Sequence, residues 1–162
     1  MKRIISILME NESGALSRVV GLFSQRGYNI DTLTVAPTDD DTLSRLTLTT
    51  NGDDQMAEQI VKQLHKLINT IKVVDLTEGP HIERELMLVK IKASDTDSRT
   101  ELKNCVEIFR GSIIDVTPAT YTVQLAGDSE KLDAFIEAVS QIGIMEVSRS
   151  GVTGISRGDK FI

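Results

Sequence analysis

The chain carries one run of elements twice, and a 162-residue sequence that repeats itself at about half its length folds as two copies of one small unit. LFSQRGYNIDTLTV (22–35) aligns with IFRGSIIDVT (108–117) through a shared Phe, Arg-Gly and Ile-Asp. TTNGDDQMAEQIVKQL (49–64) aligns with QLAGDSEKLDAFIEAV (124–139) through Gly-Asp at a helix cap and the apolar positions behind it.

Periodicity gives each copy its element order. KRIISILM (2–9) is short, apolar and Ile-rich, which predicts a strand; residues 14–26 place Leu16, Val19, Val20 and Phe23 at helical spacing. NIDTLTVAP (29–37) and LSRLTLTT (43–50) alternate apolar with polar, with a hairpin tip at Asp39 to Asp41. Asn51-Gly52-Asp53-Asp54 caps a second helix bearing Met56, Ile60, Leu64 and Leu67, and IKVVDLT (71–77) closes the unit as a strand. After Glu78-Gly79-Pro80-His81 the order begins again: ERELMLVKIKA as strand, a helix through Leu102, Val106 and Phe109, SIIDVTP and TYTVQLA as a hairpin, a helix over 129–142, and IMEVSRS.

Strand, helix, strand, strand, helix, strand is the split-βαβ, ferredoxin-like arrangement. The expected class is therefore α+β, two tandem βαββαβ domains, each an antiparallel sheet with both helices on one face. The expected bounds are 1–77 for the first domain, 78–81 for a linker, 82–151 for the second domain and 152–162 for a tail. A unit of about 75 residues has a small core. Its sheet also has edges and a bare face, so a homodimer is expected.

Composition removes several function classes. The formal net charge is −6 with no basic cluster interleaved with aromatics, which argues against nucleic acid. No apolar run reaches the length of a membrane span, and the N-terminal strand is too short for a secretory core, so a cytoplasmic location is expected. The single Cys105 falls at an apolar helical position and is read as core packing. His65 and His81 have no neighbours that would make a metal or nucleophile motif, so no catalytic residue is assigned. The familiar Gly-rich nucleotide loops are absent as well.

What remains is ENESGALSRVV, where a strand passes through Asn11-Glu12-Ser13-Gly14 into a helix. If Ser13 caps a helix beginning at Gly14, the free amides of the first turn face outward and the helix dipole favours an anion there. Gly14 would let a carboxylate approach the backbone, and the side-chain amides of Asn11 and Asn29 can donate to a carboxylate or accept from an ammonium. The same spacing also suits an ordinary connection that binds nothing. In the second repeat the corresponding stretch is Ser94-Asp95-Thr96-Asp97-Ser98, without glycine and with added acid, so a carboxylate site, if present, belongs to the first domain.

Asn11-x-x-Gly14-x-Leu16 followed by Gly27-Tyr28-Asn29-Ile30 resembles the ACT domain, a βαββαβ module that binds amino acids; Asn and Ser stand where that family usually has Asp and Pro. Over the whole chain, NESGALSRVVGLFSQRGYNIDTLTVAPT, QLHKL, ERELMLVKI, EIFRG with IIDVTP, YTVQLAG with KLDAF, and SRGDK resemble the regulatory small subunits of acetolactate synthase, also called acetohydroxyacid synthase. The resemblance implies a non-catalytic partner of a large catalytic subunit, activating it and conferring feedback inhibition by valine. It places thiamine diphosphate, Mg and FAD in the large subunit and no cofactor in this chain. It also implies an effector site between two ACT domains, with Asn11, Gly14, Ala15 and Leu16 from one chain and Asn29, Ile30 and Val35 from the other. There the amides of Gly14 to Leu16 would hold the carboxylate, Asn11 or Asn29 the ammonium, and Leu16, Ile30 and Val35 the aliphatic side chain. A free-standing amino-acid sensor and a small enzyme on the same scaffold are the other classes that the fold accommodates.

Overall fold

Apolar residues on both sides of β1 (Lys2–Glu10), against strict alternation in β5 (His81–Lys92), set the difference between the two halves. A strand buried on both faces reads as a continuous apolar run, and one buried on a single face alternates. The computed structural model describes residues Met1–Ile162. These divide into one unit of residues 1–83 with 151–162 and a second of residues 84–150.

In the first unit the order is β1, α1 (Ala15–Gln25), β2 (Thr32–Pro37), β3 (Leu43–Asn51), α2 (Asp54–His65) and β4 (Thr70–Asp75), with a 3-10 turn over Leu76–Glu78. Its antiparallel sheet runs β2-β3-β1-β4. Ile5, Ile7 and Met9 of β1 join Leu46 and Leu48 of β3 in one core with Val19 and Phe23 of α1 and Ile60 and Leu64 of α2. The second unit repeats the plan. The rest of β5, α3 (Thr96–Ile108), β6 (Ser112–Val116), β7 (Thr120–Gly127), α4 (Ser129–Val139) and β8 (Ile144–Arg149) give the sheet order β6-β7-β5-β8, around Met87, Val89, Ile91, Leu102 and Phe135. Two antiparallel βαββαβ sheets are thus the architecture that the repeat predicts. Cys105 packs partly buried against the second core.

The last residues hold an element that the sequence reading does not contain. Val152 joins Ile4 and Leu76 in a small cluster on the face of the first sheet opposite the helices, and β9 (Thr153–Ser156) pairs with β5. Arg45 fastens this segment: its Nε donates to Ser6 Oγ at 2.9 Å and a terminal nitrogen donates to the Gly154 carbonyl at 2.9 Å. Burial holds that guanidinium below the ordinary arginine pKa. Gly151, with φ of 85°, has no room for a side chain, since a Cβ would come within 3.0 Å of Thr34 Oγ1. This cover is what makes β1 apolar on both faces.

Several boundaries differ from the periodic reading. Asn29 and Ile30 precede β2 rather than open it, because the strand is secured only from Asp31, whose amide donates to the Thr49 carbonyl at 2.8 Å. α4 ends at Val139 rather than 142, and the strand expected over 71–77 gives way to the 3-10 turn after Asp75.

The repeat also preserves a buried ion pair with its polarity reversed. Arg3 lies two residues before Ile5, which pairs in register with Asp75; Glu85 lies two residues before Met87, which pairs with Arg149. Arg3 is buried and reaches Asp54 and, at 3.5 Å, Asp75, while its Nε finds no partner. Glu85 is buried and accepts two bonds from Arg149, at 3.0 and 2.9 Å.

Three of the four helices begin on an aspartate. Asp53, Asp95 and Asp128 accept from the amides of Met56, Ser98 and Lys131. Hydrogen bonding from Ser98 holds the Asp95 carboxyl below the usual carboxylate range. Asp128→Ala is expected to lower stability by about 0.5 to 2 kcal/mol, read from the urea midpoint. A loss of a tenth of that or less would mean the cap contributes nothing.

Candidate functional site

The exception among the helix starts is α1, which has no side-chain cap and no acidic residue in its first turn. Ser13 therefore does not cap it, contrary to the expectation from sequence. The helix begins at Ala15, and Gly14 occupies the cap position with φ of 87°, the left-handed region that glycine enters freely. That conformation is itself a reason for glycine at 14. The Ala15 amide donates back to the Glu12 carbonyl at 3.2 Å and the Arg18 amide to that of Gly14 at 3.1 Å. The amides of Leu16 and Ser17 between them are the ones that no side chain caps, and the helix dipole concentrates positive potential there.

Asn11 is set by the neighbouring hairpin: its amide donates to the Thr42 carbonyl at 2.8 Å and its Nδ2 to that of Asp41 at 2.9 Å. Ala15 is buried in the core, while Leu16 is exposed beside it. Val35 pairs in register with Leu46, on the sheet face that carries α1. With Leu16, Val20 and Val35 at 38%, 40% and 41% exposure, α1 and the edge strand β2 present an apolar patch to solvent.

Asn29 and Ile30 sit elsewhere. The Asn29 carbonyl accepts from Thr50 Oγ1 at 2.6 Å, its Nδ2 donates to Asp31 Oδ1 at 2.6 Å, and Ile30 packs against the core. Thr50 pairs with Arg3 at one end of β1, whereas Asn11 follows Glu10 at the other. At about 3.3 Å per residue, the eight residues from Arg3 to Asn11 put the two groups roughly 26 Å apart along the strand. One chain thus brings Asn11, Gly14, Ala15 and Leu16 together and keeps Asn29 and Ile30 at the far end.

Two contributors escaped the sequence reading. The Arg18 guanidinium lies 3.8 Å from where a Cβ on Gly14 would stand. It donates to Asn69 Oδ1, and Asn69, itself buried, donates to Glu10 Oε2 at 3.0 Å and Glu12 Oε2 at 3.3 Å. Arg18 was findable, because a residue four beyond Gly14 stacks one helical turn above it. Asn69 comes from the loop after α2 and carries no local signal. The arrangement offers a cation and uncapped amides to a carboxylate and an apolar patch to an aliphatic group. No cluster of His, Cys, Asp and Glu is placed to hold a metal ion.

Comparison with known proteins bears on this geometry. The family model described as an AHAS small subunit-like ACT domain matches residues 5–72, and the one described as the small subunit of acetolactate synthase matches residues 84–158. The chain is 64% identical to the acetolactate synthase isozyme 3 small subunit of Salmonella typhimurium, covering 100% of this chain and 99% of that protein. It is 58% identical to the acetolactate synthase small subunit of Haemophilus influenzae, with the same coverage. The crystal structure of the small subunit from Thermotoga maritima superposes with a TM-score of 0.88 at 35% identity, covering 99% of both chains.

Proposed function

The chain belongs to the acetolactate synthase small-subunit family, and from that membership we propose that it is the regulatory, non-catalytic partner of the large catalytic subunit, activating it and conferring feedback inhibition by valine. Thiamine diphosphate, Mg and FAD are assigned to the large subunit. The observation that carries the effector reading is the separation of the candidate residues to opposite ends of the first sheet. Two copies joined along their β2 edges about a twofold axis run antiparallel, which sets the Gly14 turn of one beside the Asn29 region of the other. The exposed Leu16, Val20 and Val35 fall on the flank that such pairing covers.

A zwitterion suits this arrangement. The uncapped first turn of α1 takes the carboxylate, the asparagine amides and backbone carbonyls take the ammonium, and Leu16, Ile30 and Val35 enclose an isopropyl group. A charge-assisted hydrogen bond at about 1.5 to 3 kcal/mol and the apolar group at roughly 2, set against the cost of association, give micromolar-to-millimolar affinity. One methylene changes this by only about 1 to 3 kcal/mol, so leucine and isoleucine act as weaker effectors.

Calorimetry of the isolated chain against valine, leucine and isoleucine tests the site, and activation of purified large subunit tests the role. Absence of both heat and activation would sink the reading. A charge on the proposed interface should be felt at once. Val20→Glu is expected to shift the isolated chain from dimer to monomer in sedimentation equilibrium at micromolar concentration, with its circular dichroism unchanged. A variant that sediments as the parent does would show that α1 and β2 are not the dimer surface.

A further inference from the structure

We propose that the groove between α1 and α2 is the docking surface for an acidic segment of the large catalytic subunit, and that Arg18 connects this groove to the Gly14 turn. The inference rests on the assignment of that partner made above. The groove has a volume of about 450 Å³ and is lined by Arg18, Gly21, Leu22, Arg26, Gln63 and Leu67 among others.

Charge selects the occupant. In a chain of net charge −6, every charged residue lining this groove is an arginine. Neither is in an ion pair: Arg18 donates to the neutral amide of Asn69, and Arg26 meets no carboxylate. Two cations beside an apolar strip of Leu22 and Leu67 match a segment bearing acidic side chains and an aliphatic face.

Gly21 supplies a second and independent observation. Glycine in the interior of a helix weakens it, and a Cβ at Gly21 would meet nothing within 4 Å beyond its chain neighbours and the backbone of its own helix. The fold's own packing therefore gives no reason for glycine at this position. Close passage of another chain's backbone over α1 does.

The groove and the effector turn share a helix. Arg18 lines the groove, and its guanidinium lies 3.8 Å from the Cβ position of Gly14. A carboxylate bound at the first turn of α1 draws that guanidinium toward itself and away from a docked acidic segment. Effector and catalytic subunit thus compete for one cation, and thermodynamic reciprocity requires that each weaken the other.

The test titrates purified full-length chain onto purified large subunit at low and physiological salt. Affinity is read from the activation curve and from sedimentation velocity. Gly21→Leu and Arg26→Glu are each expected to weaken association tenfold or more, while the melting temperature does not fall, and rises in Gly21→Leu, and the dimer of the isolated chain and valine binding by calorimetry stay as in the parent. With Arg18→Ala, the ratio of affinities for the large subunit measured with and without valine falls toward one. Parent-like affinity in Gly21→Leu and Arg26→Glu overturns the docking site, and so does loss of the isolated chain's own dimer in their place, which would make the groove a contact between copies. A parent-like ratio in Arg18→Ala overturns the connection to the turn. If Gly21→Leu folds poorly, Arg26→Glu alone decides. A parent chain that neither binds nor activates the large subunit would instead overturn the functional assignment, and this control separates the two failures.

Discussion

Arg149→Leu is expected to lower the stability of the second unit by about 3 to 5 kcal/mol, because it leaves a buried carboxylate without its countercharge. Glu85 is 3% exposed and takes both its strong bonds from Arg149; its remaining partner, the Ser129 hydroxyl, is 3.5 Å away. Arg149 also donates to Asp133 at 2.6 Å, an exposed contact that contributes little by comparison. Hydrogen bonding to Glu85 raises the Arg149 pKa above its ordinary value. A raised folded-state pKa means the arginine's contribution is fully present below the ordinary arginine pKa and fades only as pH climbs through the folded value. It therefore does not diminish from that side in the neutral range. The double variant Glu85→Leu with Arg149→Leu should recover most of the loss, since an apolar pair can replace a buried ion pair. Urea denaturation measures both. A single-variant loss under about 1 kcal/mol would show that Glu85 finds water instead.

Gly14→Asp is expected to raise the valine concentration for half-inhibition roughly 100-fold, equivalent to about 3 kcal/mol, while activation of the large subunit persists at saturating chain, reached at a higher concentration because the new carboxylate engages Arg18. The structure changes the reason for this expectation. A side chain at 14 projects toward Arg18, so the introduced carboxylate would cap α1 from within and occupy the cation that the effector needs. Backbone strain is the competing explanation, because position 14 has φ of 87°. Asparagine and aspartate both tolerate the left-handed region, so Gly14→Asn carries similar strain without the charge and separates the two effects. Inhibition that survives in Gly14→Asp, or is lost equally in Gly14→Asn, would remove the carboxylate from this turn.

The elements were legible because their signals are local. Helical spacing placed Val19 and Phe23 inward, alternation placed Leu46 and Leu48 inward, and all four are buried in one core. The candidate turn was legible as a glycine between a strand and a helix, although the condition that Ser13 caps that helix is not met. What a sequence does not display is a partner from a distant position. Asn69 under Arg18, Arg149 against Glu85 and the C-terminal segment across β1 are all contacts between residues far apart in the chain.

The sequence by itself determined the repeat, the βαββαβ order of each copy and the family, since these rest on periodicities of two and 3.6 residues and on motifs that are contiguous. Only the tertiary structure decided that β9 and Val152 cover the bare face of the first sheet. It also decided that the two repeats carry opposite charges at one buried position, and that Asn11 and Asn29 lie at opposite ends of a strand. The physical reason is the same in each case: register and burial are set by residues brought together across the sheet, and a local pattern carries no information about which distant residue will arrive.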